Sequence, residues 1–154
     1  MIAPDPRAAF AEMTRALIDD FRAHEGRLTS GPFAGRPVLL LTTIGAKSGM
    51  PRLAPVVYGR DGDRYVIAAS KAGAPTHPAW FANLVADPVV TVEVAGETFE
   101  ARATVAEGEE RARLWAAHVD ANPGFADYGQ RTSRVIPMVV LERIGGDGLP
   151  TTRP

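Results

Sequence analysis

Cysteine is absent from the 154 residues, which removes disulfides, zinc fingers, iron–sulfur clusters and thiol nucleophiles together. An excess of either charge is missing too: 17 Lys+Arg stand against 18 Asp+Glu, a formal net charge of −1. That balance argues against nucleic-acid binding through bulk positive charge and leaves room for a local basic pocket. No apolar run approaches the roughly 20 residues needed to span a bilayer. Met1 to Arg7 carries two prolines and an acid in place of a basic segment followed by an apolar one. No secretory leader is predicted, and a cytoplasmic protein is expected. Lysine is scarce, with Lys47 and Lys71 the only two among the basic residues.

The residues that are present describe one folded unit. A hydrophobic fraction of 45% with 23% charged residues suits a globule, and the length suits a single domain. Phe10, Met13, Leu17, Ile18 and Phe21 recur at helical spacing, so residues 1–26 are predicted to hold an N-terminal amphipathic helix. Asp5 and Pro6 supply its cap and first turn, and Gly26 its stop. The stripe most simply packs on a core; being terminal, it could also cover a pocket or touch a membrane surface.

From Val38 the period changes. Val38 to Ile44 is a continuous apolar, partly β-branched run, as in a strand buried on both faces. Turn chemistry from Gly45 to Pro51 leads into a returning strand, Arg52 to Tyr58. Gly59 to Asp63 then holds the Asp-Gly pair of a hairpin into a third strand, Arg64 to Ser70. Thr76 is expected to cap a short helix with Trp80, Phe81, Leu84 and Val85 on one face, ended by Asp87-Pro88. Val89 to Val94 and Thr98 to Val105 alternate around Ala95-Gly96-Glu97 as a second hairpin. Glu107 to Val119 reads as a helix that Asn122-Pro123-Gly124 breaks. A short segment through Tyr128 leads to a last strand, Val135 to Leu141, whose Pro137 suggests an edge or a bulge. The pattern predicts an α+β fold: a small closed or half-closed barrel of about six mainly antiparallel strands over residues 27–144, flanking helices, and a frayed tail over 145–154.

Gly45-Ala46-Lys47-Ser48 imitates a phosphate loop, but Ala46 and Leu41 stand where a Walker A motif needs glycine. Pro51 also forbids the helix that such a motif opens. What survives is a turn with Lys47, Ser48 and nearby Arg52, whose cations, hydroxyl and exposed N–H groups suit a phosphate or carboxylate. A solvated hairpin tip is the competing reading. Ser70 to Pro78 joins a strand end to a helix start and offers backbone N–H groups to an anionic or planar ligand, although a plain connection is the simpler account. His24, His77 and His118 lack metal-ligand spacing. Ser48 and Ser70 lack a Gly-x-Ser-x-Gly context. Trp80 and Trp115 sit on helical stripes, as core residues do. Tyr128 could donate a proton or lie plainly on the surface. No pair of residues forms a self-sufficient acid–base or nucleophilic apparatus, so an enzyme built on this chain takes its chemistry from a bound cofactor.

Gly45-Ala46-Lys47-Ser48-Gly49-Met50-Pro51-Arg52 and Ala74-Pro75-Thr76-His77-Pro78-Ala79-Trp80, in this order and separation, resemble the deazaflavin-dependent nitroreductase family of actinobacteria. The similarity runs from about Arg22 to Glu142. It implies a split β-barrel (FMN-binding split-barrel-like) that transfers a hydride from reduced 8-hydroxy-5-deazaflavin, coenzyme F420, to a quinone, enone or nitroaromatic acceptor. Ala46, Lys47, Ser48 and Arg52 match positions that hold the coenzyme's phosphate and acidic tail. Pro55, Val56 and Val57 match the strand beside the coenzyme, and Ala69, Ser70 and Lys71 the segment facing its ring. Ala79, Trp80 and Asn83 match the helix start that closes the site. Tyr128 matches an active-site tyrosine, and Ser70 shares the catalytic assignment with it. Phe125 is a departure, since the family often has tyrosine there. Loss of that hydroxyl argues against activity on bicyclic nitroimidazoles without impairing hydride transfer itself.

Two other readings stay open on sequence grounds. One is an FMN-dependent split-barrel oxidoreductase, although the phosphate motifs of that group differ from this one. The other is a non-catalytic carrier of deazaflavin or a tetrapyrrole; the lack of cysteine or an obvious axial histidine argues against haem. The expected partner is a small-molecule hydride acceptor, with no nucleic acid. A homodimer and peripheral membrane contact through the N-terminal helix are the further options.

Overall fold

The computed structural model describes residues 6–31, 33–70, 73, 76–132 and 135–144. Its strands are β1 (Val38–Ile44), β2 (Pro51–Asp61), β3 (Arg64–Ala68), β4 (Val89–Val94), β5 (Glu97–Val105) and β6 (Met138–Arg143). They close into a barrel in the order β1-β2-β3-β6-β5-β4, every pairing antiparallel. Helices α1 (Pro6–Ala23), α2 (Ala79–Ala86), α3 (Gly108–Ala121) and α4 (Gly124–Arg131) flank it.

The apolar run of β1 has two jobs, because successive side chains point to opposite faces of a strand. Leu39 and Leu41 join Val90, Val92, Val139 and Leu141 in the barrel interior. Val38 and Leu40 join an outer layer with Phe21 of α1, Leu114 of α3 and Phe125 of α4. Leu84 of α2 reaches into the interior cluster, with Trp80 and Phe81 packed against it.

Leu17, Ile18 and Phe21 carry the α1 stripe onto the outer layer. Arg22 then binds Glu93 of β4 through two hydrogen bonds of 3.0 and 2.8 Å. Asp20 accepts from the Thr29 N–H at 2.8 Å and from its hydroxyl at 2.6 Å, fastening the chain that follows the helix. Gly26 sits at φ +90°, and a Cβ there would lie 2.6 Å from the Ala95 nitrogen, so only glycine lets this segment close on the β4–β5 turn.

Several local expectations need correction. α2 begins at Ala79 with Pro78 at the cap position and no side-chain cap bond, so Thr76 lies too early to cap it. Val85 is 60% exposed, because a helix turn that buries Asn83 and Leu84 rotates its neighbour outward. β2 runs on to Asp61, and β3 stops at Ala68, short of Ser70. Pro137 marks neither edge nor bulge: it precedes β6, which pairs with β3 and β5, and its carbonyl accepts from the Ala69 N–H at 2.9 Å. The segment through Tyr128 is the helix α4. Asp5, the Phe10 side chain, Lys71 and residues 145–154 lie outside the described residues.

Candidate active site

The turn after β1 is tightly folded. Gly45 N–H donates to the Met50 carbonyl at 2.8 Å and Gly49 N–H to the Gly45 carbonyl at 2.9 Å. A Cβ at Gly45 would lie 2.5 Å from Ser48 Oγ, so a side chain there would turn that hydroxyl away from its present position. Ser48 Oγ accepts from the Met50 N–H at 3.1 Å and from Arg52 Nη2 at 3.5 Å, which leaves its own hydrogen to point outward. Lys47, Ser48 and Arg52 are all exposed.

Asn83 holds this turn from behind. It is buried on α2; its Oδ1 accepts from the Ala46 N–H at 2.9 Å and its Nδ2 donates to Thr43 Oγ1 at 3.0 Å. Asn83 thus reaches the site through the turn it orders, with both ends of its amide engaged inside the protein. Thr43, fully buried, is a supporting residue that sequence reasoning did not single out. A polar residue within an apolar run was the available signal.

A second group gathers along β2. Tyr58 N–H donates to the Pro37 carbonyl at 3.0 Å, on the β1 side, so by strand alternation Leu53, Pro55 and Val57 direct their backbones to the opposite edge. On that edge β3 pairs only with Tyr58 to Asp61. Among the described residues no strand pairs with that edge of β2 from Pro51 to Val57, while β1 pairs with the other edge, and this is the split in the barrel. Pro55, which has no N–H to offer, sits on the open edge where none is required. The β2–β3 pairing ends at Tyr58 and Ile67, and Ala69 and Ser70, just past the end of β3, are buried. Val56 packs in the interior cluster and Val57 in the outer one, so their side chains diverge and what they share is the seam's backbone.

Gly73 brings α4 to the same loop. Its N–H donates to the Ser70 carbonyl at 2.9 Å, its φ is +81°, and a Cβ there would lie 2.8 Å from the Tyr128 carbonyl oxygen. Tyr128 meets Phe125 edge-on at 5.0 Å, Arg131 stands 5.7 Å from its ring, and Phe125 meets His118 edge-on at 4.4 Å. Burial, reinforced by the charge of Arg36, pushes His118 down to about 4. Ala79 is exposed at the start of α2, and Trp80 is half-buried behind it. The site therefore has two parts, the exposed Lys47–Arg52 turn with α2, and a seam near β2 residues 51–57, Ala69, Ser70, Gly73 and Tyr128.

A split antiparallel barrel with an exposed turn carrying Lys47, Ser48 and Arg52 beside an unpaired strand edge is a scaffold suited to a flat cofactor with an acidic tail. The model of the F420H(2)-dependent quinone reductase family matches residues 13–143, and the chain belongs to that family. It is 40% identical over 126 residues to an F420H(2)-dependent quinone reductase of Mycobacterium tuberculosis, covering 80% of this chain and 85% of that one. A solved F420-H2 dependent reductase, FDR-A, is similar with a TM-score of 0.64 and 40% identity, covering 70% of this chain and 95% of the other. A second solved structure, described as a domain-swapped dimer, gives a TM-score of 0.67 at 33% identity over 90% of this chain and 100% of that one. The family's cofactor is coenzyme F420. The open β2 edge, the small residue at Ala69 and the exposed Lys47–Arg52 turn fit it.

Proposed function

We propose that the protein reduces quinones with a hydride from reduced coenzyme F420, gripping the coenzyme's acidic tail at the turn after β1. The observation that carries this reading is the order imposed on that turn: Asn83 fixes Ala46 at 2.9 Å while Lys47, Ser48 and Arg52 stay exposed around it. Arg52 offers a planar fork of donors to phosphate or carboxylate, Lys47 a compact charge, and Ser48 its hydroxyl hydrogen. The backbone of Pro55, Val56 and Val57 on one side and of Ala69 and Ser70 on the other would flank the ring, and Ala79 and Trp80 would close the site from α2. When bound, the reduced coenzyme supplies a hydride for a two-electron reduction. A quinone that gains a hydride also needs a proton on oxygen. Tyr128 Oη gives that proton and recovers one from solvent, with Ser70 holding the acceptor. Nitroaromatics and activated enones are acceptors of the same electron-poor kind.

Steady-state oxidation of the reduced coenzyme by a water-soluble quinone tests this. Replacing both Lys47 and Arg52 with alanine is expected to raise KM for the coenzyme about a hundredfold or more, the loss of two charge-assisted contacts. Tyr128→Phe is expected to lower kcat while leaving that KM in place. Normal turnover by the double variant would contradict the reading.

A homodimer is the assembly we attach to this proposal, supported by the domain-swapped dimer among its structural relatives. Sedimentation at micromolar concentration decides it. Among the described residues no helix is long and apolar enough to cross a membrane. Any peripheral contact would fall to the outer part of α1, where Met13 is 48% exposed. Flotation with anionic vesicles tests that contact.

A further inference from the structure

A second cleft, of about 770 Å³, opens at the other end of the barrel. β1 begins beside it at Val38 and ends at the Lys47 turn, six strand residues and roughly 20 Å away. Its size falls within the roughly 300–1,000 Å³ of small-molecule sites. The cleft is held in shape by the contacts that dock α1: Arg22 on Glu93, Asp20 on Thr29, and Gly26 against Ala95.

Its chemistry is specific. Arg27 and Arg36 both line it, and among the described residues neither is in an ion pair. Arg36 has a 3.4 Å contact to Asn122 Oδ1, which is neutral. One carboxylate, Glu25, shares the lining, so the cleft carries a surplus of one positive charge. Leu28 and Val38 supply an apolar floor and Tyr58 an aromatic wall.

We propose that this cleft is a second ligand site for a small monocarboxylate with a flat apolar body. Arg27 and Arg36 hold the carboxylate, and Leu28, Val38 and Tyr58 hold the body. Glu25 repels a second negative charge, so a dianion is disfavoured. The ligand occupies this site independently of the coenzyme, because no residue from Gly45 to Val57, and neither Ala69, Ser70 nor Tyr128, lines it.

Backbone amide NMR during a titration with benzoate tests the site, with inorganic phosphate as the comparison anion. Saturable shifts are expected at Gly26, Leu28, Gly35 and Ala95, and they persist when the protein is first saturated with coenzyme F420. Arg27→Gln and Arg36→Gln, both at exposed positions, should each weaken benzoate about tenfold, one charge-assisted contact apiece. Phosphate should give no saturable shifts there. The proposal is overturned by benzoate shifts confined to Lys47–Arg52, by their loss once coenzyme is bound, or by the absence of saturation at the cleft. Phosphate binding as tight as benzoate, or unchanged affinity in both arginine variants, overturns it equally.

Discussion

Asn83 and Thr43, forty positions apart, are joined by a buried hydrogen bond of 3.0 Å from the asparagine amide to the threonine hydroxyl. The same amide accepts the Ala46 N–H, so α2, the end of β1 and the Lys47–Arg52 turn share one anchor. Preorganised donors bind an anion without paying again to order the loop, which is what such an anchor provides.

Asn83→Ala therefore leaves the Ala46 N–H and the Thr43 hydroxyl without their partner. It should cost about 1–3 kcal/mol in urea denaturation and weaken the coenzyme about tenfold with Lys47 and Arg52 intact. Thr43→Val removes one of the two bonds, and a smaller change in the same direction is expected.

Gly73 and Gly49 separate contact from backbone conformation. Both have positive φ, but a Cβ at Gly73 would strike the Tyr128 backbone at 2.8 Å, whereas Gly49 has nothing within 4 Å. Gly49→Ala should cost only about 1 kcal/mol from the left-handed backbone. Gly73→Ala must also push α4 away from the Ser70 loop. Its kcat should fall well below that of Gly49→Ala, while the coenzyme's KM changes little; single-turnover rates check this.

Stability should depend on pH through His118. The imidazole is 3% exposed, neither ring nitrogen has a hydrogen-bond partner among the described residues, and its pKa is lowered to about 4. The unfolded chain takes up this proton near the ordinary value of about 6.5 while the folded protein resists it, so stability is full above that pH and is lost as pH falls toward 4. The loss should be about 3 kcal/mol between pH 7 and pH 4. His118→Phe should flatten that slope in urea titrations. Asp61 acts lower on the scale: Arg113 and then Arg64 hold its carboxyl at about 2, below the ordinary 3.8. Its contribution is present above 3.8 and disappears as pH falls through about 2.

The barrel interior and the outer face of α2 give opposite expectations for similar residues. Leu41 is fully buried, and Leu41→Ala should cost about 2–5 kcal/mol. Val85 is 60% exposed, and Val85→Ala should stay within about 0.5 kcal/mol. Thermal or chemical denaturation of the two variants measures the contrast.

These contrasts also show which parts of the molecule could be read before its structure. Strands declare themselves when burial imposes a period: β4 alternates half-buried and buried residues along its length, and β1 is apolar because both its faces are covered. Closure was less legible, since β6 finds β3 and β5 across long stretches of chain with no turn between them to announce the pairing. α4 was hidden by Gly124 and Gly129, which weaken a helical pattern that packing on α3 and the outer layer sustains. Lys47, Ser48 and Arg52 stood out because six adjacent positions hold them all. Ala46 and Asn83 entered through the family resemblance, but the bonds that tie them to each other and to Thr43 were not legible, because the three meet only after folding. Tyr128 was visible as a residue type, but its place at the Ser70 loop depends on the backbone contact with Gly73.

Deazaflavin fluorescence, followed while coenzyme F420 is titrated into the wild-type protein and into a variant with Lys47 and Arg52 both changed to alanine, tests the central assignment most directly. The wild type should bind the coenzyme saturably and in preference to FMN, and the double variant should bind it about a hundredfold more weakly or worse. Equal affinity in the two proteins, or tighter binding of FMN than of the deazaflavin, would contradict the assignment of this turn.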